Sequence, residues 1–318
     1  MQHAHPFPWK DFIRRIAVIA IPVALQNLLT TTGSMVDTMM IGSLGDENIV
    51  GAVGLCAQFT SLMFSGYWGF VGGGMLFFAQ YWGAKDDDGI DRSYGITLSF
   101  MMLVAAVFAS LAIFLPEWVM TVYTDKTVLQ EIGVRYLRIV GFAYPMQILS
   151  MAMSSLLRST EKVRIPFYAA IASVLTNILM NWLLIHGNLG FPALGVEGAA
   201  LATVCAAIVN VLVLVLLARV QKYPYLFHFR RHFKWNKAAL KLYLVRCFPI
   251  ICNEVFLGIA NMVINMVLGR QSEQAIAAMA VFRTLEGLII GFFAGFSNAA
   301  SVLVGTCVGS GELRTAYE

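Results

Sequence analysis

Charged residues are scarce in this chain: only 13% of its 318 residues are Asp, Glu, Lys or Arg, about half the share of a typical soluble domain. Hydrophobic residues make up 58% of the sequence. They gather into separate apolar runs of about 20 residues or more, the length that crosses a bilayer as a helix. The composition therefore excludes an ordinary soluble domain and predicts an all-α, polytopic membrane protein.

Residues that build metal sites, disulfides and catalytic centres are sparse as well. The five cysteines lie in apolar stretches without a CxxC spacing, so we expect small core residues rather than zinc ligands or disulfides. The five histidines lie in the N-terminal segment or in predicted loops, which argues against a membrane-embedded enzyme. The formal net charge of +4 comes from loop residues, so no nucleic-acid partner is expected. Residues 1–15 lack the pattern of a cleavable signal.

Separate apolar runs predict eight membrane spans, over residues 16–42, 49–83, 95–122, 128–157, 167–185, 199–218, 248–268 and 275–308. The N-terminus and the even-numbered loops carry nearly all basic residues, including Arg158 after the fourth span and the eight basic residues from Arg219 to Arg246. The opposite loops carry only Lys126 and Arg270. The positive-inside rule then predicts a multi-pass protein of the cell (plasma) membrane with a cytoplasmic N-terminus.

A weak internal repeat relates the first and seventh spans. A shift of 227 residues lays Pro22 on Pro249 and Met35 on Met262. Each span also contains a carboxylate and ends in Gly before a polar turn. Because the two spans have the same orientation, we predict a parallel repeat of six-helix lobes. The predicted units are an N-lobe of spans one to six (1–218), a basic cytoplasmic connection (219–247) and the start of a repeat-related C-lobe (248–318).

Asp37 lies inside the first predicted span, where an ionised carboxylate costs about 2.5–3.5 kcal/mol on membrane-insertion scales. On a helix it shares one face with Gln26, Thr30 and Ser34, a polar stripe that hydrocarbon would not stabilise. We therefore expect this stripe to face protein or a water-filled cavity, with Asp37 exchanging a cation or proton against a cationic substrate. The alternative is a carboxylate that reaches the membrane surface, because Gly42 follows closely.

Four segments are more specific than apolar helices in general: VDTMMIGSLG at 36–45, AQYWGAKD at 79–86, LLRSTEKVRIP at 156–166 and GNLGFPALGVEGAALAT at 187–203. Through these segments the chain resembles the multidrug and toxic compound extrusion (MATE) family over essentially its whole length. The resemblance implies a twelve-helix, two-lobed antiporter that exports cationic amphiphilic compounds in exchange for Na⁺ or H⁺. Since this chain has eight predicted spans, we interpret it as truncated after about the eighth helix.

The resemblance adds candidates for cation coupling and substrate binding. It implies that Glu254, in the seventh span, belongs to a cation site of the second lobe. It also implies that Asn177 and Asn181 of the fifth span partner Asp37. Some relatives carry a second carboxylate where this chain has Asn181, so we expect no two-carboxylate proton mechanism in the first lobe. The alternatives are an ion pair of Glu254 with Arg246, and plain interhelical hydrogen bonding by the two asparagines.

The remaining candidates lie in the last two predicted spans. Asn261 and Asn265 share one helical face with Glu254. Glu286 would face the cavity, unless it pairs with Arg283 three residues before it. If the coupling ion is Na⁺, we expect it at Asp37 or at Glu254.

These features predict a secondary active antiporter, and not an enzyme, that exports cationic or amphiphilic drugs and toxins by alternating access of its two lobes. The expected partners are a cationic small molecule, a monovalent cation and the lipid bilayer, and we expect a monomer. No cofactor is expected beyond the coupling ion, Na⁺ or H⁺. Two alternatives stay open: a flippase for lipid-linked oligosaccharides, which would need a strongly cationic cavity, and a fragment without function of its own.

Overall fold

The computed structural model describes residues 9–268 and 273–312, and within these ranges it contains helices and turns but no strand. The description does not include the side chains of residues 9–12, 261–262, 265–268, 273–281, 283–285 and 288. A 3₁₀ turn (Asn188–Gly190) accompanies the α-helices, which are α1 (Trp9–Gly42), α2 (Glu47–Gly83), α3 (Asp87–Phe114), α4 (Pro116–Tyr123), α5 (Thr127–Val140), α6 (Ala143–Ser159), α7 (Arg164–His186), α8 (Val196–Val220), α9 (Phe229–His232), α10 (Lys237–Leu268) and α11 (Glu273–Ser310).

Within the described ranges, seven helices are long and apolar enough to cross a membrane. An eighth crossing results if α5 and α6 count as one span, and these two helices meet at an angle of 49°. The predicted fourth span is therefore bent rather than straight. The prediction of an all-α, multi-pass membrane protein is confirmed.

Two predicted spans have other limits in the structure. The third ends at Phe114 rather than continuing, because Pro116 restricts Leu115 to a non-helical conformation and starts the separate helix α4. The seventh, predicted to start at Phe248, already begins at Lys237. The basic connection is therefore shorter than predicted, and it contains the short helix α9.

Helices α1 to α8, which the sequence predicts to form the first lobe, pack around a continuous hydrophobic core. Helices α2, α3 and α6 supply large, fully buried side chains to it, among them Phe78, Met101 and Tyr144. Cys56 belongs to the same core and, like the other four cysteines, is unpaired. Helix α7 packs against both α1 and α8. The two helices that carry the first lobe's predicted site residues are therefore neighbours.

The second lobe's helices pack against the first lobe in a crossed pattern. Helix α10 lies along α2, whereas α11 lies along α1 and α2. A two-fold axis that exchanges α1 with α10 and α2 with α11 would turn the α1–α11 contact into the α2–α10 contact. A repeat of the predicted kind would produce this pattern of contacts, and the repeat itself stays a prediction.

Glycines allow α2 to approach the second lobe closely. A Cβ atom on Gly69 would lie 2.6 Å from Cα of Ile251, and a Cβ on Gly73 would collide with Sγ of Cys247. Both contacts lie toward the end of the bundle at which α1 begins and α2 ends. We call this end the basic end, because most Lys and Arg residues of the chain lie in the segments located there. We call the opposite end of the bundle the far end. Small residues thus hold the two lobes together near the basic end.

Candidate functional site

Asp37 lies on α1 where α7 packs beside it. Its Oδ1 atom accepts a hydrogen bond of 2.6 Å from Nδ2 of Asn181. Asn181 is completely buried, whereas Asp37 is partly exposed. The carboxylate is therefore held by the protein on one side and remains accessible on the other.

Asn177 and Asn181 lie one turn apart on α7 and form a chain of amides beside Asp37. Nδ2 of Asn181 also donates to Oδ1 of Asn177 at 3.3 Å. In the described part of the chain, Oδ1 of Asn181 is buried without a hydrogen-bond partner. A buried acceptor of this kind destabilises a protein unless a donor or a cation binds to it. The three side chains thus collect carboxylate and amide oxygens, which are the donors that hard cations prefer.

No basic side chain neutralises Asp37: among the described residues, no Lys, Arg or His nitrogen lies within 4.0 Å of its carboxylate. The same part of the chain holds no group of three or more His, Cys, Asp or Glu residues that could bind a metal ion. The charge of Asp37 is therefore not balanced within this part of the chain.

Sequence reasoning missed two polar neighbours of Asp37. Tyr136 of α5 lies near Asp37, and Thr203 of α8 lies near Tyr136. Both residues lie on helices distant in sequence from α1, and no local pattern connects them with it. A polar residue within a predicted span was the only signal that could have singled them out.

Gln26 lies on the stripe predicted for Asp37 but does not reach its site. Its Oε1 atom accepts a hydrogen bond of 3.1 Å from Nη2 of Arg158. The placement of Arg158 in a basic loop was wrong, because it belongs to the last turn of α6 and is only 6% exposed. Long helical side chains point back toward the N-terminus of their helix, which carries this guanidinium into the lobe. Gln26 thus has a structural partner.

Ser34 also lies outside the cluster around Asp37. Its side chain is exposed, and its hydroxyl donates to the carbonyl of Thr31 on the same helix. Nδ2 of Asn27, on the same helix, instead donates to the carbonyl of Gly291 on α11 at 3.1 Å. The stripe on α1 is therefore divided among several neighbours, and it does not form one continuous surface.

The second lobe's candidates are only partly described. Glu254 is partly buried on α10 and, among the residues that the structure describes, has neither a hydrogen bond nor an ion pair, so the alternative pair with Arg246 is not formed. Glu286 is partly buried on α11. The side chains of Arg283, Asn261 and Asn265 lie outside the described residues, so their roles stay predictions.

A crossed pair of apolar lobes with an unneutralised carboxylate on a spanning helix is typical of multi-pass transport proteins. The MatE family model matches residues 22–183 and 249–318. The chain therefore belongs to the MatE family, as the sequence resemblance implied. The two matched segments begin at Pro22 and Pro249, the first pair of positions in the predicted repeat.

Curated bacterial relatives match nearly the whole chain. The probable multidrug resistance protein YoeA of Bacillus subtilis is 28% identical over 302 residues, covering 94% of this chain and 65% of the relative. The probable multidrug resistance protein NorM of Agrobacterium fabrum is 26% identical over 316 residues, covering 96% of this chain and 66% of the relative. The chain thus spans about two thirds of the length of these curated relatives.

Solved structures share the fold. The crystal structure of MATE in complex with MaD3S gives a TM-score of 0.82 at 21% identity, covering 95% of this chain and 68% of that one. The outward-facing conformation of a multidrug resistance MATE family transporter gives a TM-score of 0.79 at 21% identity, with 95% and 67% covered. At these identities the likeness establishes the fold alone.

Proposed function

We propose that this chain carries a cation-coupling site of a secondary antiporter that exports cationic or amphiphilic small molecules in exchange for Na⁺ or H⁺. The observation that carries the proposal is Asp37, a carboxylate on a spanning helix whose hydrogen-bond partner is the neutral amide of Asn181. Such a carboxylate can hold Na⁺, a proton or an organic cation, and each of these displaces the others. The multidrug resistance names of the relatives support this substrate class.

In this proposal Asp37 supplies the charge, while Asn177 and Asn181 supply neutral oxygens to a bound cation or hold the carboxyl group when it is protonated. An amide cannot share a proton with Asp37, so coupling in this lobe rests on one titrating group. One charge moving through 100 mV releases about 2.3 kcal/mol, enough for a roughly fiftyfold concentration ratio. Glu254 would serve the corresponding role in the second lobe.

Alternating access requires the lobes to close on one membrane side at a time. The glycine contacts of α2 with α10 lie near the basic end. The distribution of Lys and Arg assigns that end to the cytoplasm, with the N-terminus inside and the chain in the cell membrane. In this orientation, the packing of α2 against α10 corresponds to a closed cytoplasmic side.

A flippase for lipid-linked oligosaccharides is less well supported. Its cavity would have to bind a pyrophosphate group with several positive side chains. Among the described residues, Arg158 is the only buried Lys or Arg, and it already donates to Gln26. The interior of the first lobe therefore offers too little positive charge for that substrate.

The test is efflux of a cationic dye from cells that produce the full-length protein. Asp37→Asn removes the charge and keeps the shape, so the initial efflux rate should fall at least about tenfold, the equivalent of about 1.4 kcal/mol. Asp125→Asn makes the same chemical change at an exposed turn and should leave efflux unchanged. Glu254→Gln tests the second lobe in the same cells. Efflux at the wild-type rate in Asp37→Asn would overturn the proposed role of this site.

A further inference from the structure

The connection between α8 and α10 folds back onto the start of α3 and brings two histidines to one carboxylate. Nδ1 of His228 lies 2.8 Å from Oδ2 of Asp91, and Nε2 of His232 lies 3.8 Å from Oδ1 of Asp91. Asp91 and His232 are each 1% exposed. We call residues 223–235 the clasp segment. Both histidines of the clasp segment lie beside Asp91, a residue that the site around Asp37 does not use.

Further contacts hold the clasp segment on the first lobe. Three of them are polar: Tyr223 to Thr160 (2.8 Å), Tyr225 to Asp87 (2.5 Å) and Arg231 to Asp88 (3.7 Å). The ring of His232 also packs edge-on against Tyr94, with ring centroids 5.0 Å apart. A Cβ atom on Gly95 would collide with the carbonyl of His232. The segment therefore packs so closely on α3 that position 95 has no room for a residue larger than glycine.

His232 has a place for one proton only. Its Nε2 atom lies 2.7 Å from the carbonyl oxygen of Tyr225, which can only accept, so Nε2 carries the hydrogen. Its Nδ1 atom is buried and has no partner among the described residues. A second proton would therefore create a buried charge and an unpaired N–H donor.

Burial lowers the pKa of His232 below its ordinary value of 6.5. The hydrogen bond to the Tyr225 carbonyl and the charge of Asp91 oppose this effect, whereas the neighbouring His228 adds to it. Burial has the largest effect, so the docked ring binds its second proton less readily than a ring exposed to water. Docking of the clasp segment and protonation of His232 therefore oppose each other.

The other titratable groups around His232 do not reverse this direction. Burial raises the pKa of Tyr223, and burial together with Asp87 raises that of Tyr225 to about 12, so both phenols stay neutral near physiological pH. The ring of Tyr94 packs on His232 and faces no water. Asp87, Asp88 and Arg231 lie at the rim with their side chains in contact with solvent. His228 is the other titratable group of the clasp segment that faces Asp91, and its side chain is 30% exposed, so that solvent screens it.

The clasp segment leads directly into the helix that closes the lobes at the basic end. Trp235 packs against the hydrophobic cluster that contains Tyr243 and Cys247 of α10. The Tyr243 hydroxyl lies 2.9 Å from Oγ1 of Thr97 on α3, and Cys247 is the residue in contact with Gly73 of α2. A segment seated on α3 therefore also keeps the first turns of α10 against α2 and α3.

We propose that His228, Asp91 and His232 form a proton-operated clasp. It holds residues 223–235 on α3 near neutral pH and releases them when the pH of the solution at the Lys- and Arg-rich end of the bundle falls. The release frees α10 to move away from α2. The sign follows from linkage: a histidine that binds its proton less readily when docked stabilises docking above the pKa of the free side chain, about 6.5. This stabilisation is lost as the pH falls below that value. The proposal concerns the conformation of the chain and goes beyond the export proposed above.

The test is hydrogen–deuterium exchange of residues 223–235 in the full-length protein in lipid nanodiscs, with rates corrected for the pH dependence of the exchange chemistry. One linked proton predicts a loss of protection that approaches tenfold per pH unit below about pH 6.5. Peptides from α7 should keep their protection. Wild-type protein in which the segment is equally protected at about pH 8 and about pH 5.5 would overturn the proposal.

Variants assign the effect to His232. His232→Gln keeps an N–H near the position of Nε2 and cannot be protonated, so its segment should stay protected at low pH. His186→Gln, at an exposed histidine of the far end, should keep the wild-type profile. A wild-type profile in His232→Gln would overturn the proposal.

If His232→Gln prevents docking at every pH, the exchange profile of His228→Asn tests the proposal instead, because the asparagine amide can still donate to Asp91. If the protection of residues 223–235 still falls at low pH in His228→Asn, His232 is supported as the group that titrates. If this pH dependence disappears in His228→Asn, the proposed role of His232 is overturned. Because exchange does not measure transport, a failure here is distinguishable from a failure of the export proposal.

Discussion

Asp37 and Asp91 are carboxylates on spanning helices of the same lobe, yet their partners differ in kind. Asp37 accepts a hydrogen bond from Asn181, an amide that cannot exchange a proton with it. Asp91 is 1% exposed and lies between two histidines. Neutral partners leave a charge available to a mobile cation, whereas imidazole partners bind it to another part of the chain. The partners, more than the carboxylate itself, decide which role an acidic residue in a span takes.

The largest expected effects come from replacing each of these two carboxylates by an amide, because one change should affect efflux and the other thermal stability. Asp37→Asn removes an uncompensated charge from a span, so the melting temperature should stay or rise although efflux is lost. Asp91→Asn weakens the bond to His228 and should destabilise the protein by about 1–3 kcal/mol, with efflux at neutral pH retained. Thermal unfolding and dye efflux of both variants measure this contrast. An Asp91→Asn protein with normal melting but no efflux would remove the distinction.

A smaller effect sharpens the comparison within α7. Asn181→Ala removes the amide that donates to Asp37 and should raise the substrate concentration for half-maximal efflux roughly fivefold, or about 1 kcal/mol. Ser173→Ala lies two turns away on the same face, where the serine hydroxyl donates to the carbonyl of Ala206, and it should leave this concentration unchanged. Dye efflux measured over a range of dye concentrations compares the Asn181→Ala and Ser173→Ala variants. Equal shifts in both variants would mean that the asparagines only join helices.

The smallest expected effect lies at the basic end. Tyr225→Phe removes the hydroxyl that donates to Asp87 and should destabilise the protein by about 0.5–1.5 kcal/mol. Because burial and Asp87 raise the pKa of this phenol to about 12, its contribution is complete below the ordinary value of 10.0 and is lost only as the pH rises toward 12. Melting temperatures of both proteins at several pH values check this. A difference that vanishes at mildly alkaline pH would contradict the assignment.

Local signals explain why the fold class and Asp37 were predictable. The length of an apolar run identifies a span whatever surrounds it, and a carboxylate inside a span needs compensation wherever it lies. The errors arose where the surroundings decide the outcome. Arg158 has the charge of a loop residue, but Gln26 and the neighbouring helices cover its side chain. The break at Pro116 was missed because the apolar run continues on both sides of it, interrupted only by Glu117.

By itself, the sequence determined that this chain crosses the membrane several times and that one of its spans carries Asp37. The tertiary structure decided which side chains meet: Asn181 with Asp37, Arg158 with Gln26, and His228 with Asp91. These partners are 144, 132 and 137 positions apart. Helical periodicity fixes the face on which a residue lies but not the helix that covers it, so only the packing of the whole lobe selects the partners of each carboxylate.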